Sequence, residues 1–494
     1  YKLDEYNYFL GGSIGIKNFS VKTSSDLGKN IDKLTMPQLI YESVSESKKI
    51  YLQEINKYSK PMCNITVLRK NINLLSKENK LIMSIYNGLC MKILNYFLNT
   101  MSDYMMTFYI NFYDEFMIYN FGGLDYEICY YINIIMSKIH PEIIFENKKN
   151  EKYFEHVIRD MIEILSNLKY NSPYNTCLKY FSCLLNGSIF PEEKINYIQN
   201  LTWEDFVLKA QECLKYSEEY YILTGIKKYG CDFDVGFDNK YSYEQDNYMI
   251  ALIESMSMRT QKYLILNEPN KNIQILLPKL TLKDYQIDSK NMNSNEINNC
   301  VIKYWNTNTI PIDWNKNIYD VETIKLIAKT RLVCTFVSEI LNEPLFDKVR
   351  TIDKLGYIVK SDCGTYVDCE NMYFIIFFLT QSSYTVKKIS NSIDEFNEYV
   401  QNEINENHSN YLEKFRLLKK SKIIEYSKTF SDMEEEVNSY IESIITKNFD
   451  FDLNKLYLSV CKKINWENDI EPIITYITDK NNKSYNLILD KIKK

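Results

Sequence analysis

The 494-residue chain is 45% hydrophobic and 25% charged, a globular composition that at roughly 150 residues per domain predicts two to four units rather than one. Its 59 Lys and Arg against 65 Asp and Glu give a net charge of −6, which disfavours any nucleic-acid partner. Twelve cysteines without a CxxC pair argue against a zinc ribbon or a disulfide framework, and read as reduced, mostly buried thiols in a cytoplasmic setting.

Along the chain, GGSIG at 11–15 lacks the lysine of a phosphate-binding loop. MCNITVLRKNI at 62–72 reads as a strand, and Ser76 is placed to cap a helix to about Asn99 with Ile85, Leu89, Ile93 and Phe97 on one stripe. TFYINFYDEFMIYNFGG at 107–123 suits a strand pair closed by its two glycines, after which helical spacing returns until Pro141. More helices are expected across 151–186. Thr202-Trp203-Glu204-Asp205 has the form of a capping box opening another, ahead of a strand at 220–226 and a helix near 241–257.

Further on, 262–267 and 299–305 read as strands, and 319–341 as a helix ahead of Pro344. YFIIFFL at 373–379 is strand-sized, and nearly everything after 384 is expected to be helix. Lys419, Lys420 and Lys422 fall on a helical pattern as a solvated face. No apolar run approaches the roughly 18 residues of a membrane span, so no membrane partner is expected.

The order helix, break, strand, turn, strand, helix occurs at 79–139 and again at 319–406. Duplication with hairpin-linked strands predicts an α+β fold of two homologous domains, 1–258 and 259–494, each a mainly antiparallel sheet packed with helices. Because the chain starts at Tyr1 rather than Met, a preceding segment is expected.

Metal chemistry finds little support. KYFEH at 152–156 has lysine where an HxxEH zinc motif needs its first histidine, and an ammonium has no lone pair to offer a metal. Glu155 and His156 then read as ordinary helix residues, and the other histidines, His140 and His408, have no ligand spacing. The stretch EPLFDKVRTIDKLGYIV at 343–359 is more informative, because it holds one of only six arginines. Arg350 and Tyr357 can approach each other there if Gly356 bends the chain, offering forked cationic donors and a phenol to a peptide carbonyl gaining negative charge. The alternative is that Arg350 caps carbonyls or pairs with Asp347 or Asp353, with Tyr357 packed at the start of a strand.

That stretch resembles the last domain of insulysin and pitrilysin, members of the insulinase family of inverted zinc metallopeptidases, in its Glu-Pro, Phe, Arg-Thr and Leu-Gly-Tyr pattern. MYFIIFFLTQS at 372–382 continues the resemblance, as do MPQLIYESVSESKKIYLQE and PMCNITVLRKNINLLSKENK upstream. It implies that 1–258 and 259–494 are the third and fourth of four homologous units that enclose a peptide. Zinc would then be bound by HxxEH in an N-terminal half, fused or separate, and no cofactor by this chain. By the same resemblance Tyr357 would stabilise the oxyanion, Arg350 would hold a neighbouring substrate carbonyl, and Phe346 would line the adjoining pocket. EYSK at 425–428 lacks most lysines of the family's polyanion-binding turn, and an oligomer is compatible with the pattern.

Overall fold

The structure, a computed structural model, describes residues 36–43, 47–53, 62–124, 128–225, 263, 276–288, 295–314 and 319–491. The expected helix near 241–257, all but Tyr263 of the strand at 262–267, the GGSIG stretch and the domain boundary near 258 lie outside the described residues.

Strands β1 (Gln38–Ser43), β2 (Lys48–Gln53), β3 (Met62–Lys70), β4 (Thr107–Tyr113), β5 (Phe116–Leu124) and β6 (Glu218–Thr224) form one sheet in the order β1-β2-β6-β3-β5-β4. A second holds β7 (Tyr285–Ile287), β8 (Asn299–Pro311), β9 (Ile358–Val367), β10 (Asn371–Ser382) and β11 (Tyr485–Leu489), ordered β7-β11-β8-β10-β9. Neighbours are antiparallel except β2 with β6 and β7 with β11. The run β4-β5-β3-β6-β2 is therefore repeated, in order and orientation, by β9-β10-β8-β11-β7. The α+β class and the duplicated element order hold. The tail after 384 is nearly all helix, as expected, the exception being β11, which returns to pair with β8; five residues are too few to display a period in sequence.

Between the strands of the first sheet run α1 (Lys77–Ser102), α2 (Ile128–Lys138), α3 (Pro141–Glu146), α4 (Lys149–Asn167), α5 (Pro173–Leu185), α6 (Pro191–Gln199) and α7 (Trp203–Leu214). The second copy has α8 (Val321–Phe346), α9 (Val386–Glu406), α10 (His408–Ser427), α11 (Met433–Ile445), α12 (Leu453–Lys463) and α13 (Glu471–Thr478). Thr202 caps α7, its Oγ1 accepting from the Asp205 N–H at 3.1 Å, whereas Ser76 precedes α1 without a side-chain cap. On α1 the stripe is as expected, with Ile85, Leu89 and Phe97 buried and Ile93 half-buried. Unlike the sequence expectation, α1 is long and apolar enough to cross a membrane by length and composition. Its Ile82, Ile85 and Leu89 pack into one core with Ile65 and Val67 of β3.

Each sheet is covered on both faces, and one cover comes from the other copy. Helix α5 lays Cys177, Phe181 and Leu185 against Ile302, Ile375 and Leu487 of the second sheet. Reciprocally, α11 lays Val437, Tyr440 and Ile444 against Leu68, Ile118 and Ile222 of the first. Burial on both faces removes the polar alternation of a half-solvated strand, which is why β10 contains the unbroken run YFIIFFL. Of the ten cysteines whose side chains are described, eight are buried and none is in a disulfide.

Three local expectations are corrected. Helix α8 does not stop before Pro344 but runs through it to Phe346 and widens into a π-helical turn, Asp347–Ile352. Burial of Leu341, Leu345 and Val349 in the second core outweighs the one backbone bond that proline cannot donate. The left-handed residue in the bend is Lys354 (φ 52°), not Gly356. Nor is Lys419 merely solvated: its Nζ donates to the carbonyls of Lys462 and Ile464 at 3.0 and 2.6 Å, closing the end of α12.

Gly356 is required by close approach: a Cβ there would stand 2.8 Å from Val359 Cγ2 and 3.3 Å from Thr380 Cγ2. Gly356→Ala is expected to destabilise the chain by about 1–3 kcal/mol, the cost of overpacking. Urea unfolding of the variant measures it, and an unchanged midpoint would contradict the packing described.

Candidate substrate-binding site

Leu345 and Val349 are both 0% exposed and anchor this turn in the second core; Phe346, half-buried, packs against the edge of that core, and Arg350 is exposed. The Arg350 guanidinium carbon lies 4.7 Å from the centre of the Phe346 ring and 5.4 Å from that of Tyr357. A cation held between two ring faces keeps the N–H edges of its fork directed away from both. Tyr357 is 78% exposed, while its backbone N–H is pinned to the Gln381 carbonyl at 3.3 Å. Through its side chain the same Gln381 accepts from the Tyr174 N–H at the start of α5, so the helix contributed by the first copy supports this corner.

The three sequence candidates are thus brought together on the surface. Among the described residues Arg350 has no ion pair and no hydrogen bond. Asp353, a candidate partner for it, is engaged by Lys348, whose Nζ donates to both carboxylate oxygens at 2.6 and 2.7 Å, and by the Ser392 hydroxyl from α9. Lys348 also reaches Glu395 of α9 at 3.4 Å. Sequence reasoning missed this brace because Lys348 and Asp353 are five apart, the repeat of a π-helical turn, whereas pairs are sought at three or four.

The histidines are not brought together. His156 lies exposed on α4 beside Glu155, His140 precedes α3, and the His408 ring stands edge-on to Trp466 with centres 5.8 Å apart. Among the described residues there is no group of three His, Cys, Asp or Glu side chains that could hold a metal ion. A cavity of about 930 Å³ lies elsewhere: none of Phe346, Arg350 and Tyr357 lines it.

No family model matches the chain. Among curated proteins, the A-factor-processing enzyme of Saccharomyces cerevisiae is 23% identical over 340 residues, covering 68% of this chain and 29% of that enzyme. Among solved structures, pitrilysin matches 92% of the chain with 43% of its own length, at a TM-score of 0.67 and 11% identity. A protease from Helicobacter pylori matches 92% with all of its own length (TM-score 0.59, 12% identity). A peptidase M16 inactive domain from Pseudomonas fluorescens matches 92% with 97% of its own (TM-score 0.57, 11% identity). The chain therefore spans less than half the length of the curated relative and of pitrilysin, and nearly the whole of the two shorter proteins. It carries the fold of the insulinase-like M16 peptidases and is related in sequence to one of them, the A-factor-processing enzyme.

Proposed function

We propose that this chain is the non-zinc, substrate-enclosing C-terminal half of an insulinase-like zinc metalloendopeptidase that hydrolyses peptides. The observation that carries the reading is the exposed Arg350 guanidinium, clamped between Phe346 and Tyr357 with no carboxylate partner among the described residues. Its forked N–H donors match a substrate backbone carbonyl. The Tyr357 phenol, on a backbone fixed by Gln381, is a second donor for the oxygen of the scissile carbonyl as it gains charge. Phe346 offers an apolar wall for the residue beside the cleaved bond. The metal would be held by an HxxEH-bearing half, fused or separate, and this chain would be inactive without it. A cytoplasmic peptidase is the setting in which reduced thiols and this site agree.

With the complete enzyme, Tyr357→Phe is expected to lower kcat by about 10²–10³-fold with KM little changed, as loss of an oxyanion donor does. Arg350→Ala is expected to lower kcat/KM by about ten- to a hundredfold. Its urea midpoint should move little, within about 0.5 kcal/mol, since an exposed side chain without a bonded partner is removed. Elemental analysis of the purified chain is expected to find no stoichiometric zinc; one zinc per chain would overturn the assignment.

A second reading is a non-catalytic scaffold or peptide-binding protein on the same fold, favoured by the inactive domain from Pseudomonas fluorescens that this chain matches at a TM-score of 0.57. Unchanged turnover in Tyr357→Phe would select it.

A further inference from the structure

The 930 Å³ cavity falls in the size range of small-molecule sites and is framed by both copies of the duplicated unit. The β4–β5 hairpin tip, Asp114 and Glu115, enters it from one side; the start of α8 and the turn after α11 close it from the other. Three acidic side chains, Asp114, Glu115 and Glu442, line it together with three basic ones, Lys80, Arg331 and Lys447.

Glu115 is 3% exposed, yet its Oε1 has no hydrogen-bond partner. Lys447 does not supply one: its Nζ stands 3.8 Å away, donates to the Trp314 carbonyl at 3.5 Å, and lies over the rings of Trp314 and Tyr319. Asp114, held in the left-handed region at φ 48°, makes no hydrogen bond or ion pair among the described residues. Burial pushes both carboxyl groups up and the Lys447 ammonium down, so each is shifted toward its neutral form. Arg331 is only loosely engaged, 3.8 Å from Glu442 and 3.5 Å from the Tyr457 hydroxyl.

We propose that this cavity binds a short peptide with free termini, its ammonium on Glu115 and Asp114 and its carboxylate toward Arg331 and Lys80. An ammonium brings three donors to the Asp114 carboxylate and to the Glu115 Oε1, which has a cation 3.8 Å away but no hydrogen bond. A ligand with only a positive charge would meet Arg331 and Lys447 unfavourably, and one with only a negative charge would meet Asp114 and Glu115. Equal numbers of acids and bases on the wall suit a ligand carrying both charges. Ile324 and Ile327, with the Trp314 ring, supply the apolar wall for its side chains. The inference stands apart from the reading of Arg350 and Tyr357, which are not in the cavity.

The test is isothermal titration calorimetry on the full chain with the tripeptide Ala-Phe-Ala, its N-acetylated form and its C-terminal amide. The free peptide is expected to bind saturably, and either block to weaken it about tenfold or more. Glu115→Gln and Asp114→Asn are each expected to weaken the free peptide about tenfold. Asparagine tolerates the left-handed backbone at 114, so the second variant keeps the test open if the buried one fails to fold. No saturable binding of the free peptide, or binding that blocking and both variants leave unchanged, would overturn the proposal.

Discussion

Leu345 and Val349, four residues apart and both fully buried, tie the end of α8 into the second core. Burying such a side chain is worth about 1.5–3 kcal/mol, against about 0.5–1.5 kcal/mol for a backbone bond. Helical geometry therefore persists through Pro344, where the sequence reads as a stop. Continuing the turn with the Leu345–Val349 face inward carries Arg350 outward by one residue's rotation, about 100°, and leaves Phe346 half-buried at the edge of the core. The wide turn then closes on Lys348 and Asp353, which occupy each other and leave the guanidinium to the two rings.

The same core depends on a reciprocal exchange. Helices α5 and α11 hold equivalent places, each following a long helix of its own copy, and each covers the sheet of the other. Separating the copies would bare Phe181 and Leu185 on one side and Tyr440 and Ile444 on the other, all nearly fully buried. Gln381 connects this exchange to the surface site: its side chain holds the first turn of α5 and its carbonyl holds the backbone of Tyr357. Burial of the second sheet's outer face and the position of the phenol are thus parts of one arrangement.

Much of this was legible before the structure. Periodicity located β3, α1, α8 and β10, and the repeated order of elements anticipated two sheets whose strand orders match. What escaped was set by contacts distant in sequence. Burial of Leu345 and Val349 overrides Pro344, and β11 exists because β8 offers it an edge. Lys419 closes a helix more than thirty residues away, and no spacing rule anticipates that. At the site, Arg350 and Tyr357 were legible as a pair, but the Lys348–Asp353 brace was not, because its spacing belongs to a π-helical turn.

Arg69 shows what distinguishes the Arg350 site. It too lies between two rings, with its guanidinium carbon 5.3 Å from the Tyr119 centre and 4.9 Å from that of Tyr216. But Arg69 is 4% exposed and its Nε donates to Glu219 at 2.7 Å, so its charge is neutralised within the first sheet's core. A buried cation needs such a partner, and removing one leaves an uncompensated charge. Arg350 has the same aromatic clamp without burial and without the carboxylate, because Lys348 has taken Asp353. The rings fix its orientation at little cost in hydration, while its hydrogen-bonding edge remains available. In one chain the same local geometry therefore has two outcomes: where a carboxylate completes it, the charge is neutralised within a core, and where none does, it leaves an exposed, oriented donor, the one proposed above for a substrate carbonyl.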